Sequence, residues 1–255
     1  MRLVVKIGTQ VISTKTGLDL KRMGLIVAEI AKLIKLGHEV ILVSSGAIRA
    51  GPSLASFPGA TGKKIAASIG QPMLMHSYIN ETKKYNMLVG QVLILSEDFA
   101  NKKHHKELVE NLEAMLANKV TPIINENDVM KRGDLRIGDN DYFSALVAVG
   151  LKADKLVILT NQEGLFTANP DEDKEAKLIK VVKKVDAKIE KLCSPLPGAM
   201  GRGGMITKVK AAKYATEHGI ETFIGKGNKR GVIFGALRQK NNFPGTVFLV
   251  SKKKK

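Results

Sequence analysis

Asp128, Asn140 and Asp141 fall within the segment NENDVMKRGDLRIGDND, Asn125 to Asp141, which follows directly on the apolar run Val120–Ile124. Short carboxylates and carboxamides hydrogen-bond their own backbone and favour turns and helix starts, so they suit the edge of a sheet just past a buried strand. Open α/β folds place ligands at that carboxyl edge, which makes these three residues candidates for holding a small polar substrate. A solvated loop leading into a helix capped by Asn140 or Asp141 reads equally well from the segment alone.

Further constellations stand at the ends of other apolar runs. Lys6 and Gly8 close the run Arg2–Ile7. A lysine in a buried strand is costly unless its ammonium reaches an anion, and a glycine after it lets the backbone turn and a ligand approach. A lysine snorkelling from a sheet edge is the alternative. Ser44, Ser45 and Gly46 follow Val40–Val43 and offer hydroxyl and backbone N–H donors to an anionic group, while Ser45 also suits a helix cap. Gly201-Arg202-Gly203-Gly204-Met205-Ile206-Thr207-Lys208 opens a helix-forming stretch, as a phosphate cradle would, with Lys208 one turn inside. Its spacing matches neither the Walker loop nor the dinucleotide fingerprint, and a glycine-rich surface loop is its alternative. Thr160 and Asn161 end the run Leu156–Leu159 at a turn, a weak signal alone.

These residues need a scaffold that brings strand ends together. Strand-like runs recur at Arg2–Ile7, Val40–Val43, Leu88–Leu95, Val120–Ile124, Leu156–Leu159, Glu221–Ile224 and Thr246–Val250. Between them lie helical patterns from Asp19, a cap, through Leu36 (with Leu20, Met23, Ile26, Val27, Ile30, Leu33 and Ile34 at helical spacing), Lys63–Tyr85, Lys102–Asn118, a helix after Asp141, and Met205–Glu217. Strands separated by helix-length segments imply right-handed crossovers and an α/β fold with a mostly parallel sheet covered on both faces. Gly51–Gly62 and Cys193–Gly204 are the long irregular loops, of the kind used as lids or binding loops.

Composition narrows the class. A chain of 255 residues, 44% hydrophobic, can bury a full core, and no apolar run approaches the length of a membrane span. The N-terminus lacks a signal-peptide pattern, and the expectation is a soluble cytoplasmic protein. The lone Cys193 excludes an internal disulfide and gives no metal cluster, and His104 and His105 read as solvated surface. The 41 basic against 24 acidic residues, a net +17, invite a nucleic-acid reading, but the lysines are spread and aromatic platforms are few, with no Trp. Positive charge also draws small anions such as phosphates. Lys252–Lys255 reads as a frayed basic tail.

In this order the motifs VVKIGTQV from Val4, VILVSSGAI from Val40, KKIAASIGQ from Lys63, PIINENDV from Pro122, IGDNDYFSAL from Ile137, ADKLVILTNQEGLFT from Ala153 and GRGGMITKVKAA from Gly201 resemble the amino-acid kinase family. NEND followed by GDND places the resemblance in its glutamate-kinase branch, and it runs to about Gly245. The resemblance implies a three-layer αβα sandwich over residues 1–250, a single domain with the amino-acid site in its N-terminal half and the ATP site in its C-terminal half; residues 251–255 are the tail. It implies transfer of the ATP γ-phosphoryl group to the side-chain carboxylate of L-glutamate, the first step of proline biosynthesis. Lys6 and Lys208 would flank the transferred group and Asp141 would orient them. Ser45, Gly46, Asp128 and Asn140 match the glutamate-binding positions. Lys6, Gly8, Thr160, Asn161, Arg202, Gly203, Gly204, Met205, Ile206, Thr207 and Lys208 match the ATP-binding ones. Mg²⁺ is expected through the ATP phosphates, with no protein ligands of its own. A homo-oligomer, dimer or tetramer, and feedback inhibition by proline are implied; membrane and specific nucleic-acid partners are not.

The chain departs from the family pattern at Asn161, where Asp is usual, and at Arg202, where Thr is usual; both make the nucleotide side more positive. It ends where many members continue into a PUA domain, so the resemblance is to a short form. Glu126, Asn127, Asp134 and Asp139 read as turn-forming or supporting residues. The alternatives are another carboxylate or carbamate kinase of the same fold, or a nucleotide- or nucleic-acid-binding module without catalysis.

Overall fold

Short runs rich in Val, Ile and Leu alternate with longer amphipathic stretches, and this pattern becomes the element order of the computed structural model, which describes residues 1–52, 57, 59–130, 140–193, 204–238 and 245–250. The elements are β1 (Arg2–Ile7), α1 (Leu20–Lys35), β2 (Glu39–Ser44), α2 (Ala47–Ala50), α3 (Gly59–Lys83), β3 (Leu88–Ile94), α4 (Ser96–Ala100), α5 (Lys102–Ala117) and β4 (Val120–Glu126). They continue with α6 (Asn140–Gly150), β5 (Lys155–Thr160), β6 (Val181–Val182), α7 (Ala187–Leu192), α8 (Met205–Glu217), β7 (Glu221–Lys226), α9 (Val232–Arg238) and β8 (Thr246–Phe248).

The strands form one eight-stranded sheet in the order β3-β4-β2-β1-β5-β7-β8-β6. Each ladder is parallel except that between β7 and β8. Strand β1 is central, with Lys6 in register with Val43 of β2 and Ile158 of β5. Successive side chains of a strand point to opposite faces. Leu3, Val5 and Ile7 accordingly pack with Met23, Ile26 and Ile30 of α1 and Tyr78 of α3. Val4 packs instead with Phe143 and Ala145 of α6 and Val209 and Ala212 of α8. Lys6 shares its face with Val4, which aims its side chain at the layer of α6 and α8.

Asp19 caps α1, its Oδ1 accepting from the Arg22 backbone N–H at 3.0 Å. Leu20, which the helical spacing placed among the core positions, sits in the first turn and is 54% exposed. At the amino edge of the sheet Arg2 ties four segments together. Its guanidinium reaches both carboxylate oxygens of Glu113, Glu39 Oε2 and the Leu151 carbonyl, and its backbone N–H donates to Asp154. The guanidinium fork suits such multiple acceptors, and the opposite edge of the sheet is left for the site.

The structure differs from the sequence reading in several places. Helix α3 begins at Gly59, so Gly59–Gly62 are helical rather than part of a long loop, and it continues through Pro72. Strand β8 stops at Phe248 instead of Val250. His105 is half-buried against Phe99, with ring centroids 5.5 Å apart, and is not a solvated side chain like its neighbour His104. Strand β6, helices α4, α7 and α9 and the 3-10 turn Thr9–Val11 are too short for a periodic signal to reveal. No helix among the described residues is long and apolar enough to cross a membrane.

Candidate active site at the carboxyl edge of the sheet

The carboxyl ends of β1, β2, β4 and β5 converge on the starts of α6 and α8, and the polar residues gathered there are buried. Asp141 is fully closed to solvent, with Lys6 and Lys208 only 4% and 7% exposed. Lys6 Nζ lies 2.6 Å from Asp141 Oδ1, and Lys208 Nζ lies 2.9 Å from Asp141 Oδ2. Thr207 Oγ1 donates to the same Oδ2 at 2.9 Å. A sheet-edge lysine that snorkels to solvent is therefore not what Lys6 is.

The electrostatics of this triad follow from burial and charge. Burial by itself raises the Asp141 pKa, but the charges of Lys6 and Lys208 and their hydrogen bonds outweigh it and hold the carboxyl down to about 2. Asp141 also lies in the first turn of α6, where the helix dipole favours a negative group. Two ammonium groups held on one buried carboxylate are fixed cations, and their attraction for an anion beside them is stronger there than in water. Gly8 borders the same space: a Cβ on it would lie 3.5 Å from Lys6 Nζ and 3.2 Å from the Leu159 carbonyl oxygen. Bare backbone at this point keeps the approach to Lys6 open.

A second polar group lies on the β2 and β4 side. Asn140 Nδ2 lies 2.8 Å from the Ser44 carbonyl and from Ser45 Oγ and 3.0 Å from Asn125 Oδ1, three acceptors that share its two protons. Ser45 does not cap the short helix that follows; the cap position of α2 is Gly46, whose φ of 107° an L side chain rarely adopts. That conformation turns the chain sharply and leaves the Ser45 hydroxyl beside Asn140. Beneath it the Ser44 hydroxyl bonds the Tyr78 hydroxyl at 2.9 Å, and burial pushes the Tyr78 phenol up to about 12. Asp128 stands half-buried just beyond β4, its backbone N–H on the Glu126 carbonyl at 2.9 Å. Glu126, read as a turn-forming or supporting residue, is the buried last residue of β4, and Asn127 forms a turn by accepting from the Met130 N–H.

On the other flank Thr160 is the buried last residue of β5, with its hydroxyl on Asn161 Oδ1 at 3.2 Å and its carbonyl on the Gly227 N–H at 2.8 Å. Asn161 itself is exposed. Gly204 holds the cap position of α8, and its carbonyl, 2.8 Å from the Thr207 hydroxyl, shares that hydroxyl's one proton with Asp141 Oδ2. Met205 and Ile206 form the first turn of α8, half-buried. Arg202, Gly203, Asp134 and Asp139 lie outside the described residues.

Two contributors were not singled out in the sequence. Gln71 and Asn125 are 9% and 2% exposed, and Asn125 Nδ2 donates to Gln71 Oε1 at 2.8 Å. The signal for Gln71 was its spacing. It shares the α3 stripe of Ala67, Leu74, Met75 and Tyr78, all of which are buried, so its carboxamide must find a buried partner.

The sequence pattern of the amino acid kinase family matches residues 1–226. Among curated proteins, the chain is 39% identical over 253 residues to the glutamate 5-kinase of Trichlorobacter lovleyi, covering 97% of this chain and 67% of that protein. It is 39% identical over 252 residues to that of Aliivibrio salmonicida (97% and 68% covered) and 40% identical over 253 residues to that of Moorella thermoacetica (97% and 66% covered). The chain thus spans about two thirds of the length of these relatives. Among solved structures, an isopentenyl phosphate kinase of T. acidophilum superposes with a TM-score of 0.66 at 18% identity, over 97% of this chain and 100% of that one. Another isopentenyl phosphate kinase structure gives a TM-score of 0.66 at 15% identity. At such identities the likeness establishes the fold.

Proposed function

The chain belongs to the amino acid kinase family, and from that premise we propose that it is a glutamate 5-kinase, transferring the γ-phosphoryl group of ATP to the side-chain carboxylate of L-glutamate. The observation that carries the reading is Asp141, fully buried between ammonium groups contributed by β1 and α8. A carboxylate substrate is already ionised at neutral pH and needs no general base. The obstacle is to bring two anions together and to stabilise the charge spread over the transferring phosphoryl oxygens, a task for fixed cations and backbone donors.

In this reading one carboxylate oxygen of glutamate attacks the γ-phosphorus, its bond to the β–γ bridging oxygen breaks, and glutamyl 5-phosphate and ADP result. Lys6 and Lys208 face the transferring group, and Asp141 with Thr207 holds them in register. Ser45, Gly46, Asn140 and Asp128 hold the amino acid, with Asp128 suited to the ammonium. Gly8, Thr160, Asn161 and the run Arg202–Lys208 hold the nucleotide. A divalent cation such as Mg²⁺, carried on the phosphate oxygens, would neutralise part of the polyphosphate charge. Both oxygens of Asp141 already face cationic or hydroxyl donors at 2.6–2.9 Å, so this carboxylate serves to orient lysines. The reading includes a homo-oligomer, supported by Ile65, Ile69 and Met73, spaced along one face of α3 and 37–51% exposed, in the half of the chain that carries Ser45.

An acyl phosphate product distinguishes this reaction from phosphorylation of a hydroxyl. Incubation with L-glutamate, ATP, Mg²⁺ and hydroxylamine should yield glutamyl hydroxamate, dependent on every component. ADP formation without hydroxamate would rule out transfer to a carboxylate.

A further inference from the structure

The carboxamides below Ser45 form a chain whose direction is fixed at both ends by backbone groups that cannot exchange roles. At one end the Glu126 N–H, a donor only, bonds Asn125 Oδ1 at 2.9 Å. Asn125 Nδ2 therefore faces the other way and donates to Gln71 Oε1 at 2.8 Å, which leaves Gln71 Nε2 facing Gln91 Oε1 at 3.2 Å. At the other end the Ser44 carbonyl, an acceptor only, takes a proton from Asn140 Nδ2 at 2.8 Å, and the same amide nitrogen contacts Asn125 Oδ1 and Ser45 Oγ.

An amide NH₂ donates and does not accept, so the Ser45 oxygen is the acceptor in its contact with Asn140. The Ser45 proton is consequently directed away from Asn140, and among the described residues it meets no acceptor. Gln71 and Asn125 are nearly inaccessible, and a buried carboxamide is held in place because an unsatisfied polar atom there is costly. Gln71 thus pins Asn125, Asn125 pins Asn140, and Asn140 sets the sense of the Ser45 hydroxyl.

We propose that Gln71 is a positioning residue of the amino-acid pocket, acting through Asn125 and Asn140 to commit the Ser45 hydroxyl as a donor to an anionic, carboxylate group of the substrate. The inference rests on the carboxylate-kinase reading and adds to it a residue that touches no substrate. Because the relay acts on binding of the amino acid alone, it separates from the nucleotide side.

Steady-state kinetics with glutamate and ATP varied separately test this. Gln71→Leu, close in volume but without either hydrogen bond, raises KM for glutamate about tenfold, the equivalent of one net hydrogen bond. It leaves KM for ATP and kcat within about twofold on the same basis. Gln71→Glu keeps the acceptor for Asn125, with the Gln91 amide turned to donate, and recovers most of the loss. Gln91 is exposed on the edge strand, so Gln91→Ala does not threaten folding; it raises KM for glutamate about two- to threefold and nothing else, as expected for the end of such a chain. An unchanged KM for glutamate in both Gln71→Leu and Gln91→Ala, equal changes for both substrates, or no recovery in a folded Gln71→Glu overturns the proposal while leaving the kinase reading intact. A wild-type chain without glutamate-dependent turnover overturns both, and that result needs no variant.

Discussion

Lys6 Nζ and Asp141 Oδ1 stand 2.6 Å apart with side chains 5% and 0% exposed, a pairing of a central strand with the first turn of a helix far away in the chain. Two charges so deeply buried are tolerated only with further partners, and Lys208 and Thr207 supply them on the second carboxylate oxygen. In the proposed reaction, stability and catalysis therefore draw on the same carboxylate. Asp141→Asn keeps the shape but takes the carboxylate away from two buried ammonium groups. It should lower unfolding free energy by about 3 kcal/mol, within the range for breaking a buried pair. Denaturant titration measures that loss, and kcat/KM should fall by about 10²–10³ as the lysines lose their alignment. A folded variant with nearly wild-type turnover would show that the triad is structural only.

Stability should respond to acid through the same group. The folded-state pKa of Asp141 is lowered from 3.8 to about 2. A depressed carboxyl pKa contributes stability above the unfolded-state value, and this contribution is lost as the pH falls through the folded-state value. It amounts to on the order of 2 kcal/mol and disappears between about pH 4 and pH 2. The gap in urea midpoint between wild type and Asp141→Asn should narrow over that window; a gap independent of pH there argues against an ionised Asp141.

Lys208 lies one turn inside α8, after its glycine-rich start, and its removal should affect the chemical step more than substrate capture. Lys208→Met is expected to lower kcat by about 10²–10³ with KM for glutamate changed less than about threefold. A rise confined to KM for glutamate would instead place Lys208 on the amino-acid side.

Asp128, beyond β4, is assigned to the substrate ammonium. Asp128→Ala should raise KM for glutamate by about 10- to 100-fold, the loss of one charge-assisted hydrogen bond. KM for ATP should hardly move. Equal effects on both constants contradict the assignment.

Much of this arrangement was legible in the chain. The order of strands and helices followed from periodicity, and Lys6, Ser45, Asn140, Asp141 and Lys208 could be placed at strand ends and helix starts before any coordinates. The bond between Lys6 and Asp141 was not, because a strand end and a helix start distant in sequence meet only through the order of the sheet. Gln71 was hidden for a different reason. A polar residue inside a helix reads as surface unless its position on the apolar stripe is weighed, and its partner Asn125 lies on another element. The two-residue strand Val181–Val182 carries too little pattern to be seen, and it exists because β8 offers it an edge to pair with.

The most direct test of the account is ADP release by the purified chain with Mg²⁺ and ATP, measured with L-glutamate against L-aspartate, N-acetyl-L-glutamate and carbamate. The account predicts turnover with L-glutamate at a kcat/KM well above that for each of the other acceptors. Turnover that ignores L-glutamate, or that prefers one of the others, would contradict it.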